Sequence, residues 1–593
     1  MSKQLLSGNE AIAQGAWECG VAVGVGYPGT PSTETLENLA KHEDVYCEWS
    51  PNEKVALEVG IGASMGGVRA LVTMKHVGVN VAADPLMSVC NAGVNGGLVI
   101  LAADDPSIYS SQNEQDSRNY AAFARVPMLE PSNSAEAHSM VQRAFDISEQ
   151  FDTPVFIRET VRIAHTKTPV EASDARRVLD PKPYANDASK WVMVPANAKV
   201  RRLVVDERTK QLEAFAEECD LNRVEMRDTK MGIICSGACY ENVRQALPDA
   251  STLKLGISWP LPENKIKEFA ANVDALYVVE EACDFFDMRV RAMGVALATP
   301  AAHVLPPDGE LTPARIRDAF GIAQPQHLPA AEGLPPRPPA LCAGCPHRLV
   351  FSELRRLKAT VTGDIGCYTL GSAAPLSAVH STIDMGASFS MAHGMELAGV
   401  PQRNKRPVVG VIGDSTFAHS GITSLLGTVY NGGAGTLCIL DNRTTAMTGC
   451  QGNPCNGVTL MESAQKKLNP LDVPKGKDLD LEALVRALGV EDVRVVDAQN
   501  LKEVRRNLKE ATSATDTLTV IIFKSPCRLI DRAKHKAPVI KDCKACGVCV
   551  NLGCPALGKD DQGHAVIDVN NCIGCDQCVQ NCAFGCIVSR KGE

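Results

Sequence analysis

The sequence contains no segment that is typical of a membrane-spanning or secreted protein. No apolar run approaches the ~20 residues that cross a bilayer. The first residues, MSKQLLSGNEAIAQGAW, also lack the apolar core of a signal peptide. We therefore expect a cytoplasmic protein without a membrane partner.

Basic residues are fewer than acidic residues in this chain. The 593 residues include 60 Lys and Arg against 69 Asp and Glu, which gives a formal net charge of −9 at pH 7. A protein whose main partner is nucleic acid usually carries a basic face, so we expect no nucleic acid partner. A content of 45% hydrophobic and 22% charged residues is typical of a globular protein. At ~150 residues per domain, the length predicts about four domains.

Cysteine, in contrast, is abundant. The 23 cysteines occur without a recognisable secretory signal. A disulfide framework is therefore not expected, because the cytosol keeps thiols reduced. Metal binding is the expected role for such a set of cysteines.

Strand and helix patterns alternate along most of the chain, which predicts an α/β protein with several doubly wound parallel-sheet domains. The last segment carries cysteines and turn residues in place of a large apolar core. The predicted parts, in chain order, are an α/β domain, a polar linker, a smaller α/β domain, a proline-rich connector, a third α/β domain and the cysteine-rich segment: 1–165, 166–200, 201–323, 324–340, 341–535 and 536–593.

The centre of the third domain predicts a ligand site at the ends of two strands. One apolar run ends at Gly413 and Asp414, and a second ends just before Asn442. Parallel strands joined by a helix produce this pattern, and open α/β sheets bind ligands at the carboxyl ends of such strands. A carboxylate and an amide oxygen suit Mg²⁺. Backbone N–H groups of Gly413 and Ser415 could approach a diphosphate, although a single Gly-Asp pair is often only a turn.

The carboxyl-terminal segment repeats a cysteine spacing. Its runs are C-x2-C-x2-C-x4-C-P and C-x2-C-x2-C-x3-C. Each run can hold three corners of a cubane, while the fourth thiolate comes from the other run. The sequence therefore predicts two [4Fe–4S] clusters, with the ligand sets Cys543, Cys546, Cys549, Cys582 and Cys554, Cys572, Cys575, Cys578. Zinc is the alternative, but its usual two-plus-two spacing lacks the third C-x2 step. Cys586 is a spare thiol that could compete with Cys582.

Several motifs together resemble a known enzyme family. They are the duplicated cysteine tail, GYPGTPSTE (26–34), CAGCPHR (342–348), GDSTFAHSG (413–421) and DNRTTAMTG (441–449). Over nearly its whole length the chain resembles the thiamine diphosphate-dependent 2-oxoacid:ferredoxin oxidoreductases, and most of all the large subunits of their indolepyruvate branch.

This resemblance implies the reaction and the partners. The reaction would be oxidative decarboxylation of an aryl 2-oxoacid with coenzyme A, and ferredoxin would accept the electrons. The fold would combine thiamine diphosphate-binding domains with a small C-terminal two-cluster ferredoxin-like domain. A smaller beta subunit would complete an α2β2 assembly.

The resemblance also assigns ligands for the cofactor in the third domain. Asp414, the Asn442 side chain and the Thr444 carbonyl would hold Mg²⁺, with Gly413 and Ser415 at the diphosphate. Ser415 stands where the family signature usually has glycine.

His347 and His419 lie beside this proposed site in the sequence. We assign His347 to cofactor binding, although either residue could be a structural histidine.

A third cluster, proximal to the cofactor, follows from the same resemblance. Isolated cysteines are most often small buried hydrophobes, but a C-x2-C pair lies near two further cysteines. The implied ligands are Cys342, Cys345, Cys367 and Cys527. Cys450 and Cys455 remain competitors of Cys527 for the fourth position.

In the first domain the resemblance implies a catalytic glutamate. Thiamine diphosphate is activated when a carboxylate hydrogen-bonded to its pyrimidine ring drives the imino tautomer. Glu53 would be that carboxylate, and Glu58 is the fallback. The alternative is a glutamate that only favours the dipole of its helix.

Four residues of the first domain would face the substrate. Thr30 belongs to the GYPGTPSTE turn, while Lys75 and His76 end a strand that points to the same region. Arg118 would bind the substrate carboxylate, although a surface ion pair is an equal alternative.

Two other functions fit part of the pattern. A nonoxidative thiamine-dependent decarboxylase would need no clusters, so the cysteine tail argues against it. An electron-transfer subunit would use its α/β domains only to bind a partner.

Overall fold

The computed structural model forms two compact units, Met1–Ala330 and Ala331–Glu593. None of the helices it describes combines the length and apolar character needed to cross a membrane. Part of the predicted proline-rich connector lies outside the described residues. The described residues are 2–300, 305, 308–326, 331–334, 338–474, 476–514 and 516–591.

The first unit contains a seven-stranded sheet that is parallel except at one edge. Its central strands, Ala70–Lys75 and Leu98–Asp104, are buried along their whole length. Buried apolar strands of this kind are typical of parallel sheets that helices cover on both faces. In spatial order the strands are Ile257–Trp259, Met128–Leu129, Val155–Thr160, Leu98–Asp104, Ala70–Lys75, Val23–Gly26 and Tyr46–Trp49.

A smaller sheet follows in the same unit. Three of its strands are parallel, and the edge strand is antiparallel. In spatial order they are Leu276–Val279, Asp228–Cys235, Ala250–Leu255 and Asn222–Glu225. The helices of the first unit are Gly8–Glu18, Thr33–Leu39, Glu53–Met65, His76–Val81, Ala83–Ala92, Arg118–Ala124, Ser134–Phe151, Val161–His165, Ala188–Trp191, Pro195–Glu218, Gly237–Ala246, Glu263–Ala271, Phe285–Ala292 and Pro313–Phe320.

The stretch predicted as a polar linker, 166–200, contains regular structure. Lys167–Ala172 pairs antiparallel with Ser2–Ser7, and the helix Pro195–Glu218 begins within the stretch. Polar composition was a poor guide here, because a two-stranded ribbon on the protein surface needs few apolar residues.

The second unit contains a five-stranded, wholly parallel sheet. The strands that precede Asp414 and Asn442 are neighbours in it, with Gly413 opposite Leu440. The predicted α/β class with parallel sheets is therefore confirmed in both units. In spatial order the strands are Thr360–Thr362, Val408–Gly413, Gly435–Asp441, Leu518–Lys524 and Asp492–Asp497.

The helical segments of this unit begin at the CAGCPHR motif and continue through the sheet domain. They are His347–Arg356, Cys367–Ser372, Ala387–Leu397, Val400–Asn404, Asp414–Thr416, Phe417–Gly421, Ile422–Tyr430, Leu460–Lys466, Pro470–Asp472, Leu481–Ala487 and Leu501–Ser513.

The cysteine-rich tail has little regular structure. Its apolar core is a small cluster that includes Cys549, Leu557 and Ile587. Its elements are the antiparallel pairs Val539–Ile540 with Ile587–Val588 and Leu557–Lys559 with Ala565–Ile567, the short turn Val550–Leu552 and the helix Gln577–Asn581.

Candidate cofactor site and thiol clusters

Asp414 lies where the strand Val408–Gly413 passes directly into a helix. Its side chain is 2% exposed, and its Oδ2 has no hydrogen-bond partner among the described residues. Burial and the neighbouring Asp441 carboxylate raise the pKa of Asp414 well above its usual range. A bound cation would stabilise two buried carboxyl groups that repel each other. Asp414 therefore has the environment of a metal ligand.

The residues on either side of Asp414 fit a closely packed turn. A Cβ added at Gly413 would lie 2.5 Å from Cε1 of Tyr368, so only glycine fits there. The Thr445 hydroxyl donates to Ser415 Oγ at 2.8 Å, which ties the helix start to the loop after Asn442. This hydrogen bond gives a physical reason for serine where the family signature has glycine.

Asn442 and His347 face each other at the end of the neighbouring strand. Asn442 Nδ2 lies 3.5 Å from His347 Nε2, and the Thr444 N–H donates to Asn442 Oδ1 at 3.1 Å. Burial lowers the pKa of His347 to about 4, so its ring is neutral near pH 7. The orphaned carboxylate oxygen of Asp414 and the amide oxygen of Asn442 form an oxygen donor set that fits Mg²⁺.

The four proximal cysteines line one cavity. They come from three places: the loop before the helix His347–Arg356, the turn Cys367–Ser372 and the loop after the strand Leu518–Lys524. Asn442 and His347 line the same cavity, so the thiols lie next to one proposed metal ligand and one proposed cofactor-binding residue. The cysteines are Cys342, Cys345, Cys367 and Cys527.

Two further cysteines, Cys450 and Cys455, are alternatives to Cys527 as the fourth cluster ligand, and the structure places them in different surroundings. The Cys450 thiol hydrogen-bonds the Cys527 sulfur, which lowers the pKa of Cys527 to about 6 and raises the pKa of Cys450. Cys455 is buried, and its thiol donates to the Asp414 carbonyl at 3.4 Å. Because the thiolate is the metal-binding form, this arrangement favours Cys527 as the ligand and Cys450 as its hydrogen-bond donor.

The tail cysteines form two groups, and each group lines its own cavity. Cys586 also lines the first, but its thiol donates to the Asp542 carbonyl at 3.3 Å. Burial opposes ionisation of Cys582, yet backbone N–H groups of the following residues lower its pKa. Cys582 is thus the better thiolate of the two. The groups are Cys543, Cys546, Cys549, Cys582 and Cys554, Cys572, Cys575, Cys578.

Glu53 is the first residue of the helix Glu53–Met65 and is 5% exposed. A Cβ added at Gly78 would lie 2.7 Å from Glu53 Oε1, so glycine at that position leaves room for the carboxylate. Glu58, the fallback, is exposed and forms an ion pair with Lys54. Of the two glutamates, Glu53 alone is buried, as a pyrimidine-binding carboxylate would need to be.

Lys75 and Thr30 are connected through Ser110. Lys75 Nζ donates to the Ser110 carbonyl at 3.1 Å, and the Ser110 hydroxyl donates to the Thr30 carbonyl at 3.4 Å. The Lys75 stem lies against Gly29, where an added Cβ would be 3.2 Å from Cγ. His76 is fully buried, with Nε2 at 3.2 Å from the Asn113 carbonyl and a pKa lowered by burial.

Arg118 is not available as the predicted substrate clamp. It is 1% exposed, and its guanidinium contacts Asp116 at 2.6 Å and Glu280 at 3.0 Å. It also donates to the Glu281 carbonyl at 2.9 Å and packs over Phe286. The ion-pair alternative was closer to the structure, although the pair is buried rather than on the surface.

Sequence reasoning missed Asp364. This carboxylate is fully buried and accepts the N–H groups of Gly386, Ser388 and Ile365 at 2.8–3.0 Å. It thereby orders the loop that begins the helix Ala387–Leu397. The available signal was a second Gly-Asp pair after a short strand, the pattern that was recognised at Asp414.

Two family models match the chain. Residues 364–523 match the family described as thiamine pyrophosphate enzyme, C-terminal TPP binding domain. Residues 14–217 match the family described as pyruvate flavodoxin/ferredoxin oxidoreductase, thiamine diphosphate-binding. The first match spans Asp364, Asp414 and Asn442, and the second spans Glu53 and Lys75. These matches identify thiamine diphosphate as a cofactor.

Curated relatives match over nearly the whole length. Indolepyruvate oxidoreductase subunit IorA of Methanothermobacter marburgensis is 39% identical, with 98% of this chain and 96% of that protein covered. IorA of Archaeoglobus fulgidus is also 39% identical, with 100% and 98% covered. The 2-oxoglutarate synthase subunit KorA of M. marburgensis is 23% identical over 49% of this chain and 92% of that protein.

Replacing Cys527 and Cys450 in turn tests the fourth proximal ligand. We expect Cys527→Ser to remove the proximal cluster, about a third of the iron if the chain holds three clusters. Cys450→Ser should keep its iron, because Cys450 is not an assigned ligand and the serine hydroxyl can still donate the hydrogen bond. Iron and acid-labile sulfide analysis of anaerobically purified protein measures both. Equal iron loss in the two variants would contradict the assignment.

Replacing Arg118 tests its structural role. Arg118→Met leaves the Asp116 carboxylate without this buried partner, so we expect about 3–5 kcal/mol of lost stability. Thermal unfolding followed by circular dichroism measures the change. The exposed pair Arg291–Asp287 provides the control, since Arg291→Met should cost less than about 1 kcal/mol. Unchanged stability together with a raised KM would restore Arg118 as a substrate clamp.

Proposed function

Because the chain belongs to the IorA family of indolepyruvate oxidoreductase subunits, we propose that it oxidatively decarboxylates aryl 2-oxoacids such as indolepyruvate. The second substrate is coenzyme A, and the products are an aryl-acetyl-CoA, CO₂ and reduced ferredoxin. Family membership makes the chain a subunit of a 2-oxoacid oxidoreductase. The aryl substrate, coenzyme A and ferredoxin are the part that this proposal adds.

One observation supports this function most directly. Asn442 and His347 line the cavity of the four proximal thiols, and Asn442 follows the strand beside the one that leads to Asp414. A cofactor held by Asp414 and Asn442 would therefore lie next to a one-electron carrier. A nonoxidative decarboxylase needs no such neighbour.

Each residue has a proposed role toward bound thiamine diphosphate. The cofactor would supply a nucleophile for the 2-oxoacid and an electron sink for decarboxylation. Asp414, Asn442 and the Thr444 carbonyl would hold Mg²⁺, and the backbone N–H groups of Gly413 and Ser415 would donate to the diphosphate. The buried Glu53 carboxylate would bind the pyrimidine ring at N1′ and favour its imino tautomer.

The proposal includes three [4Fe–4S] clusters and a smaller beta subunit in an α2β2 assembly. Three cavities are each lined by four of the predicted ligand cysteines, and one of them also by Cys586, which supports the clusters. The relatives are named as subunits, which supports a partner chain. Electrons would leave through the tail to ferredoxin.

Anaerobic turnover tests the function. Purified protein with its beta partner, thiamine diphosphate and Mg²⁺ is mixed with indolepyruvate and coenzyme A, and the cluster absorbance is followed. We expect bleaching together with thioester formation. Aldehyde without bleaching would establish the decarboxylase instead, and no bleaching with any 2-oxoacid would refute the proposal.

Replacing Asp414 separates an enzyme from an electron-transfer subunit. Asp414→Asn should lower turnover by more than ~100-fold, because even outer-shell changes at metal sites cost 10–100-fold. Dithionite reduction of the clusters should stay intact. Asp561→Asn, at an exposed turn of the tail, is the matched control. If Asp414→Asn turns over normally, the carboxylate does not hold the metal.

Lys75 replaces Arg118 as the proposed partner of the substrate carboxylate. Ser110 connects Lys75 to Thr30 by hydrogen bonds. The ammonium group of Lys75 makes one described hydrogen bond, so its other N–H groups can donate to an anion. Burial lowers the pKa of Lys75 to about 8. Because only the protonated amine binds a carboxylate, KM for the 2-oxoacid should rise as pH increases above about 8.

Steady-state kinetics across this pH range measure the effect. In Lys75→Met we expect KM to be raised about 10–100-fold at pH 7, because a hydrogen bond to a charged group is lost. The KM of this variant should also no longer depend on pH in this range. Lys54→Met, at an exposed position on the Glu53 helix, is the control. A normal KM in Lys75→Met would remove Lys75 from the substrate site.

A further inference from the structure

Arg348 is a buried cation between two groups of thiols. It is the second residue of the helix His347–Arg356 and is 1% exposed. Its guanidinium donates to the carbonyls of Cys342 at 3.1 Å, Leu552 at 2.9 Å and Gly553 at 2.6 Å, and to the Leu341 carbonyl. It therefore connects the loop of the proximal cysteines with the loop that precedes Cys554.

The hydrogen bonds of Arg348 do not balance its charge. Its described acceptors are neutral carbonyls, and no carboxylate of the described residues forms an ion pair with it. An unpaired buried charge is strongly unfavourable, and burial lowers the pKa of Arg348. The thiols that act against this lowering are Cys554, Cys345, Cys342 and Cys575. Two of them belong to the proximal group and two to the second tail group.

The two thiol groups are also packed against each other. Gln577 Nε2 donates to the Cys345 carbonyl at 2.9 Å. A Cβ added at Gly344 would lie 2.2 Å from Cδ1 of Ile573 and 3.2 Å from Cβ of Cys575. The proximal loop therefore lies directly on the run that contains Cys572, and Arg348 is at this contact.

We propose that Arg348 is a shared counter-ion of the proximal cluster and of the cluster held by Cys554, Cys572, Cys575 and Cys578. A cubane bound by four thiolates carries net negative charge, and each reduction adds one more negative charge. A fixed cation at both clusters stabilises their reduced states and raises both reduction potentials. This inference rests on the proposed clusters.

In the proposed transfer, one electron passes from the proximal cluster to the neighbouring tail cluster. The proximal cluster is oxidised and the tail cluster is reduced. Arg348 neither gains nor loses an electron or a proton. Because it is near both clusters, it favours the reduced form of donor and acceptor alike and changes the difference between their potentials little.

The test is a potentiometric titration of each cluster in the intact holoenzyme with its partner subunit, followed by electron paramagnetic resonance. In Arg348→Met we expect the reduced-to-oxidised ratio of both adjacent clusters to fall about tenfold at a fixed potential, which is 59 mV for a one-electron couple. The cluster assigned to Cys543, Cys546, Cys549 and Cys582 should shift less and serves as the internal control.

Arg348→Lys separates the charge from the geometry of the guanidinium. It keeps the cation and loses the fork, so we expect potentials closer to wild type than to Arg348→Met. Arg355→Met, at an exposed position on the same helix, is the matched control and should shift no cluster. A shift of one cluster only, an equal shift of all three, or no shift would each overturn the shared role.

If Arg348→Met fails to retain clusters, iron analysis distinguishes a counter-ion from a residue that only shapes the two loops. Iron lost in Arg348→Met but kept in Arg348→Lys supports a counter-ion. Equal loss in both shows that the guanidinium acts only by shaping the two loops, which overturns the proposal. Wild-type protein whose clusters titrate but which oxidises no 2-oxoacid would refute the proposed function and leave the role of Arg348 testable.

Discussion

Buried charged groups whose protein partners are incomplete are the constraint on which the second unit depends. Among the described residues, Oδ2 of Asp414 has no hydrogen-bond partner and lies in a carboxylate beside Asp441, and the hydrogen-bond acceptors of Arg348 are carbonyls. Each arrangement is unfavourable in the protein alone, because low-dielectric surroundings penalise uncompensated charge. A divalent cation would compensate the first, and thiolate-bound clusters the second. At both places where cofactors are proposed, a bound cofactor would thus compensate a buried charged group more completely than the described protein groups do.

In the first unit, most buried charged side chains are instead paired with side chains of opposite charge. Arg118 is paired with Asp116 and Glu280, and Arg158 contacts Asp104 at 2.6 Å and forms an ion pair with Glu130. Such closed networks hold elements together and have little capacity for a ligand. This difference is why we assign Arg118 a structural role, although its sequence motif is polar. Lys75 is less completely paired among the described residues, which is why we propose it as the binding residue.

Local spacing was sufficient to predict much of the fold and part of the candidate site. Apolar runs predicted the strands that precede Asp414 and Asn442, because buried parallel strands are continuous in sequence. The runs that begin at Cys543 and Cys572 predicted two groups, which line two cavities in the structure. Spacing could not separate Cys450 from Cys455, since both lie in one loop and only tertiary packing directs one to Cys527 and the other to Asp414. Arg348 belongs to the CAGCPHR motif, but its contact with the tail could not be predicted, because the carbonyls of Leu552 and Gly553 are far away in the chain.

The loop after Asn442 joins the cofactor ligands to the cluster ligands. The Asn442 carbonyl accepts the Cys527 N–H at 2.9 Å, while its side chain faces His347. A shift of one ligand would therefore displace the other, so the two sites keep a fixed separation. The Ser415–Thr445 hydrogen bond attaches the Asp414 side of the site to the same loop. Transfer of single electrons from a bound cofactor to the first cluster would require a stable distance between them, and these two contacts, one through the backbone and one through side chains, would help to fix that distance.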